Sequence, residues 1–356
     1  MSRQLEDTPV EMRFLGNSGL AVSTLGFGCM TFANGTGRFG TVGSTRGKDA
    51  ERQIAMCIDA GVNLFDTADI YSEGLSEETL GEALGPRRKD VVVATKIFSR
   101  MGRGAHDIGL SRRHIVEGCE ASLRRLGTDW IDLYQVHNFD TVTPLEETLR
   151  ALDDLVTSGK VRYIGCSNFA GWQLMKASAT ATRLGTSRYV GQQIQYSLMV
   201  RDAEDELLPC GADQGVGALI WSPLAQGFLS GKFSEGIQGN TRLEQTGRLK
   251  AYQNAQGVAV LAAMDAIVAN RPGISHSQVA LNWLLRRPGV SSVLVGARTD
   301  TQLADNLAAS QWSLDDAEVE ALDRASQVSM RYPNSHQRIF GAERNPQLFV
   351  RYSKDG

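Results

Sequence analysis

The feature that most constrains this chain is its rhythm. Short runs of β-branched and apolar residues alternate, eight times, with amphipathic stretches of helical length. The runs fall at 25–30, 62–66, 91–96, 130–137, 161–166, 189–195, 216–221 and 291–295, with helix candidates near 49–60, 76–84, 111–126, 144–158, 170–184, 203–212, 256–270 and 300–310. Strands this uniformly apolar, each followed by a helix, imply a parallel sheet covered by helices. Eight such units imply an α/β fold closed into a (β/α)8 barrel, with a doubly wound open sheet as the alternative. Start signals support the helices: Ser111 precedes one with Glu117 in its early turns, and Pro144 falls where a first-turn proline is tolerated.

Three segments stand outside this rhythm. Alternation over 12–23 around Asn17-Ser-Gly predicts an N-terminal β-hairpin able to plug the lower end of the barrel. A polar loop runs through 236–247, and an extra helix pair at 277–287 and 315–325 precedes a tail without clear period from about 330. No repeat beyond the β/α rhythm and no composition shift marks a linker. One domain over 1–356 is expected, with its core at about 12–328 and a tail at 329–356.

With 356 residues, 42% hydrophobic and 22% charged, the chain reads as an ordinary soluble globular one. A net charge of -3 gives no reason to expect nucleic acid. No apolar run approaches the ~20 residues of a bilayer span, so no membrane partner is expected. The first residues lack the profile of a signal peptide, which makes a cytoplasmic location the expectation. An oligomer is compatible with all of this. The five cysteines, Cys29, Cys57, Cys119, Cys166 and Cys210, are odd in number and widely spaced, which supports neither a disulfide framework nor a metal knuckle. His-Glu-x-x-His and Gly-x-Ser-x-Gly are both missing, so zinc hydrolysis and a serine nucleophile have no support and no metal site is expected.

Gly35-x-Gly37-x-x-Gly40 spells a dinucleotide fingerprint. That motif works only where the glycines leave a strand and open a helix directly. Here the next helix begins near 49, so the glycines read as part of a long loop.

In a barrel the chemistry gathers at the C-terminal ends of the strands. Those ends carry Asp66, with Tyr71 just behind it, then Lys96, His137, Ser167 and Asn168, Gln193 and Trp221. Singly, each has a plain reading: a cap, a solvated charge, a packed ring. Together Asp, Tyr, Lys and His form a proton-transfer device. A free phenol, with a pKa near ~10, is a poor acid. An ammonium beside it lowers that pKa, a carboxylate keeps the ammonium charged and oriented, and a neutral imidazole can hold a carbonyl oxygen. None of these groups can donate an electron pair to carbon, so a hydride cofactor is required.

The segments Phe65-Asp-Thr-Ala-Asp-Ile-Tyr71, Ala94-Thr-Lys96, Asp132-Leu-Tyr-Gln-Val-His137, Gly165-Cys-Ser-Asn168 and Gly296-Ala-Arg298 resemble the aldo-keto reductase superfamily. Trp221-Ser-Pro-Leu-Ala-Gln-Gly-Phe-Leu-Ser-Gly-Lys232 is similar to its branch of bacterial reductases and potassium-channel β subunits. The resemblance implies NADP(H) as cofactor and a small-molecule carbonyl or alcohol as substrate. It makes Tyr71 the general acid/base, assisted by Lys96 and Asp66, with His137 orienting the carbonyl. Ser167, Asn168 and Gln193 would hold the nicotinamide carboxamide, and Trp221 would stack on its ring. Ser222, Leu224, Gln226, Ser230 and Lys232 would grip the pyrophosphate, and Arg298, Gln302, Asp305 and Asn306 the adenosine end, with Arg242 and Gly296 as further cofactor contacts.

These cofactor contacts all come from the fifth to the eighth strand and the loops that follow them. The glycine loop, with Thr31 and Phe32 at its start, is therefore expected to cover the substrate pocket. The loops after the first, fourth and seventh strands and the tail are expected to line that pocket, with Phe139 and Trp172 as further candidates. A cofactor-sensing regulatory subunit with weak turnover is the second functional reading.

Overall fold

The computed structural model describes residues 10–34, 42–233, 243 and 249–344. Eight parallel strands close into a barrel: β3 (Leu25–Gly28), β4 (Leu64–Asp66), β5 (Val92–Ile97), β6 (Ile131–Val136), β7 (Val161–Ser167), β8 (Tyr189–Gln195), β9 (Gly217–Trp221) and β10 (Val290–Val295). β10 pairs with both β3 and β9, so no edge remains and the open-sheet alternative is excluded. Register follows the alternation of the strands. Leu64, Ala94, Leu133, Leu219 and Leu294 point inward and form one apolar cluster, while Phe65, Val93, Tyr134 and Ile220 face the surrounding helices.

The lower end of this interior is closed by the hairpin of β1 (Met12–Phe14) and β2 (Ala21–Ser23). Its Leu15, Leu20 and Val22 join the interior cluster. Gly16, at φ 58°, is required there, because a Cβ on it would lie 2.3 Å from the Gly215 carbonyl oxygen and 2.7 Å from the Gly217 nitrogen. Asn17 N–H donates to that same carbonyl at 2.8 Å, which fixes the plug against the start of β9.

Helices cover the outside. In Leu145–Thr157 the leucines 145, 149, 152 and 155 recur at helical spacing and are all buried. Each such side chain contributes about 1.5–3 kcal/mol on burial. The helix Arg112–Leu126 starts where Ser111 Oγ accepts the His114 amide at 3.3 Å and stops at Gly127, φ 61°.

Three segments depart most from the sequence reading. The first run is a strand only to Gly28, and Cys29–Thr31 turns as a 3-10 helix. The helix expected at 203–212 is Leu207–Gln214, preceded by a 3-10 turn at Asp202–Glu204. The tail, which shows no clear period, carries a helix at Asn334–Arg344, held by the Arg331–Asp202 ion pair and by Asn334 Nδ2 donating to the Asp205 carbonyl. Among the described residues no helix is long and apolar enough to cross a membrane.

Candidate active site

The interior changes character two residues further along each strand. Leu64 is followed by Asp66, Ala94 by Lys96, Leu133 by Gln135 and then His137, Gly191 by Gln193, and Leu219 by Trp221. Strand alternation puts each of these on the same inward face as its predecessor, one layer nearer the C-terminal rim. A polar layer therefore lies on an apolar one.

At its centre Lys96, with no exposure to solvent, donates to Asp66 Oδ1 at 2.5 Å and to the Thr67 carbonyl at 2.7 Å. A third hydrogen bond joins it to the phenol of Tyr71. Burial lowers the pKa of this amine, but Asp66 and Tyr71 together outweigh it and raise it, so Lys96 stays an ammonium. The Asp66 carboxylate is filled on its other side by Gln193 Nε2 at 2.7 Å and Gln135 Nε2 at 3.1 Å.

For Tyr71 the balance runs opposite to the sequence expectation of a lowered phenol. Burial raises its pKa by more than Lys96 lowers it, so the net shift is upward and the phenol is protonated at neutral pH. Its ring meets that of His137 edge-on, with centroids 5.9 Å apart. Burial, then the Lys96 charge, push His137 down to about 3, so its imidazole is neutral, and its Nδ1 is buried without a protein partner. Tyr71 is placed by an irregular turn, in which Ser72 and Glu73 adopt left-handed φ values of 50° and 58° before the helix Leu75–Leu84.

Above this cluster opens a cavity of about 870 Å³. Asp66, Tyr71, His137, Ser167, Asn168, Gln193, Trp221, Ser222, Leu224, Gln226, Ser230, Lys232, Gly296, Arg298, Gln302, Asp305 and Asn306 all line it. Every residue the sequence assigns to catalysis or to the cofactor is thereby brought to one site, with two qualifications. Lys96 lies behind the wall, and Arg242 lies outside the described residues. The glycines 35, 37 and 40 also lie outside them, so the fingerprint and the loop covering fall there too.

The donors near β7 and β8 support one another: Ser167 Oγ donates to the Gln193 carbonyl at 2.9 Å, and Asn168 Nδ2 to the His137 carbonyl at 3.0 Å. After β9 the backbone curls through left-handed conformations at Ser222, Ala225, Gln226, Gly227 and Gly231. Trp221 Nε1 and Gln226 Oε1 are left buried with no protein partner. Orphaned polar atoms on a cavity wall are the mark of a site shaped for a polar ligand. At the far end Gln302 Oε1 accepts the Arg298 amide, and Arg298 Nε donates to the Val42 carbonyl at 3.0 Å, joining the first loop to the last. Asp305 accepts from Ser275 and Gln278, each at 2.7 Å.

Two candidates fall elsewhere. Phe139 and Trp172 do not line the cavity: Phe139 packs on Phe169 at 5.1 Å and against Trp172 at 5.8 Å, and Trp172 is itself largely exposed. Phe32 is buried against Phe27, while its neighbour Thr31 reaches the cavity. The tail contributes no lining residue among those described. Met30, Ile70, Ser99 and Asn138 complete the end nearest Tyr71. Sequence reasoning missed Gln135, although its place two residues before His137 and two after Leu133 marks it as inward-facing.

A closed parallel barrel with an Asp-Lys-Tyr-His cluster under a long cavity defines an enzyme-like class: proton chemistry at the C-terminal face, beside room for an extended cofactor. The comparisons narrow this. The model of the aldo/keto reductase family matches residues 24–327, and the chain belongs to that family. It is 37% identical over 315 residues to a probable voltage-gated potassium channel subunit beta of Arabidopsis thaliana, covering 84% of this chain and 91% of that one. A putative subunit of the same description from Schizosaccharomyces pombe is 36% identical over 332 residues, covering 90% and 93%. An uncharacterized oxidoreductase of Bacillus subtilis is 38% identical over 317 residues, covering 86% and 93%. Family membership brings with it oxidoreduction of carbonyl compounds and a nicotinamide cofactor.

Proposed function

We propose that residues 1–356 form one domain that acts as an NADP(H)-dependent oxidoreductase, interconverting an aldehyde or ketone with its alcohol, with Tyr71 as general acid/base. The observation that carries this reading is the buried Lys96, bonded at once to Asp66 and to the Tyr71 phenol beneath the cavity. When bound, the nicotinamide supplies the hydride for the carbonyl carbon, or accepts it in the reverse direction. Ser167, Asn168, Gln193 and Trp221 would hold its ring, the curl from Ser222 to Lys232 with Arg242 its pyrophosphate, and Gly296, Arg298, Gln302, Asp305 and Asn306 its adenosine.

The protein's own share is the proton. Tyr71, kept protonated by burial, gives its proton to the oxygen of the reduced carbonyl, and the phenolate left behind lies against the Lys96 ammonium. Asp66 holds that ammonium in place. His137, neutral across the physiological range, orients the carbonyl oxygen without competing as an acid.

Steady-state consumption of NADPH and of NADH against a panel of aldehydes and ketones tests the reading. The expected result is turnover of at least one class, faster with NADPH. Tight NADPH binding with turnover far below ordinary enzyme rates on every compound would instead favour a cofactor-sensing regulatory subunit. That second reading is supported by the names of the Arabidopsis and Schizosaccharomyces relatives.

A further inference from the structure

We infer that Gln135 is a positioning residue of the proton relay: from the barrel interior its amide fixes the Asp66 carboxylate, and through it the charge on Lys96 and the acidity of Tyr71. Gln135 sits on β6 with no solvent exposure. Its Nε2 donates to Asp66 Oδ2 at 3.1 Å, while Lys96 occupies Oδ1 at 2.5 Å. Its own Oε1 is buried without a partner.

That unmatched oxygen is the telling feature. A residue serving only to fill the interior would be apolar here, as Leu133 is one layer below, because a half-satisfied buried amide is unfavourable compared with a well-packed hydrocarbon. The amide sits at a position where, among the described residues, its one hydrogen-bond partner is the carboxylate that anchors Lys96. The neighbouring strand makes room for it: a Cβ on Gly165 of β7 would lie 3.2 Å from Gln135 Cγ. The second donor to the same oxygen, Gln193, lines the cavity, whereas Gln135 does not. Gln135 is thus the donor that stays in place whatever the cavity holds.

The sign of its effect follows from the groups that face Tyr71: Lys96 from β5, Asp66 from β4, Cys29 after β3 and His137 after β6. The negative charge of Asp66 raises the Tyr71 pKa and the Lys96 ammonium lowers it. Removing the Gln135 amide leaves the carboxylate less compensated and less firmly held against Lys96. Both changes make Tyr71 a weaker acid.

The inference rests on the proposed role of Tyr71, so its test uses a readout that does not need turnover. Difluorotyrosine, whose phenol titrates lower than that of tyrosine, is placed at position 71 in the full-length protein and in Gln135→Met and Gln135→Leu, and the phenol is titrated by fluorine NMR. The midpoint is expected to rise by about one pH unit in Gln135→Met, about tenfold in proton affinity. A rise of the same sign is expected in Gln135→Leu, which removes the same donor with a shorter side chain. An unchanged midpoint in Gln135→Met would overturn the inference; should that variant not fold, an unchanged midpoint in Gln135→Leu would do so. If the wild-type protein reduces no carbonyl, the proposed function falls while the titration still decides the role of Gln135.

Discussion

Two layers of the same barrel, one residue pair apart on the same strands, obey different rules. In the lower layer Leu64, Ala94, Leu133, Leu219 and Leu294 meet the leucines of the hairpin plug, and nothing there needs a partner. In the upper layer Asp66, Lys96, Gln135 and Gln193 are equally buried, and each has a partner of opposite or complementary character. The lower layer contributes stability through area removed from water. The upper one is tolerated only because its charges are paired, and the lesson is that burial by itself does not separate core from chemistry. What separates them is whether removing one side chain leaves another without its partner.

The most severe way to break this comparison is Asp66→Leu, which extends the apolar layer upward. It strands the Lys96 ammonium and two amide donors, so a loss of about 3–5 kcal/mol in urea unfolding is expected, with activity gone. Leu133→Ala, one layer below on β6, should lower stability by about 2–5 kcal/mol through the cavity it leaves. In that variant the pH dependence of kcat/KM should keep its wild-type shape, since no charged group loses a partner; a displaced profile would mean that the layers are not separable.

The effect that is smallest near neutral pH is titrational. His137 is pushed down to about 3 from an ordinary value of 6.5, so the unfolded chain binds a proton that the folded one refuses. Its contribution is fully present above pH 6.5 and lost as pH falls toward 3. Relative to His137→Phe, the wild type should lose about 1 kcal/mol for each pH unit below the ordinary value, measured as urea stability at stepped pH.

How much of this is legible in the sequence divides along the same line. The apolar strands announce themselves because parallel strands buried on both faces read as continuous runs, and the closed barrel follows from counting them. The gathering of Asp66, Tyr71, Lys96 and His137 is legible because successive strand ends of such a fold meet at one face. Gln135 escapes that search because it lies inside its strand; only pairing with Asp66 across the barrel, a contact between positions 69 residues apart, gives it meaning. The net direction of the Tyr71 shift is likewise invisible in a motif, since it depends on how deeply the phenol is buried relative to the nearby ammonium. Phe139 and Trp172 mislead for the converse reason: they neighbour reactive residues in sequence, yet face each other in space.

The central claim is that the buried phenol of Tyr71 is the proton carrier of a nicotinamide-dependent carbonyl reaction. Tyr71→Phe removes one oxygen and leaves every cavity-lining donor for the cofactor untouched. Compared with wild type on the best carbonyl found, it should keep NADPH affinity, read by fluorescence titration, while kcat falls by about 100-fold or more. A Tyr71→Phe protein that binds NADPH and still reduces the same carbonyl at the wild-type rate would contradict the account.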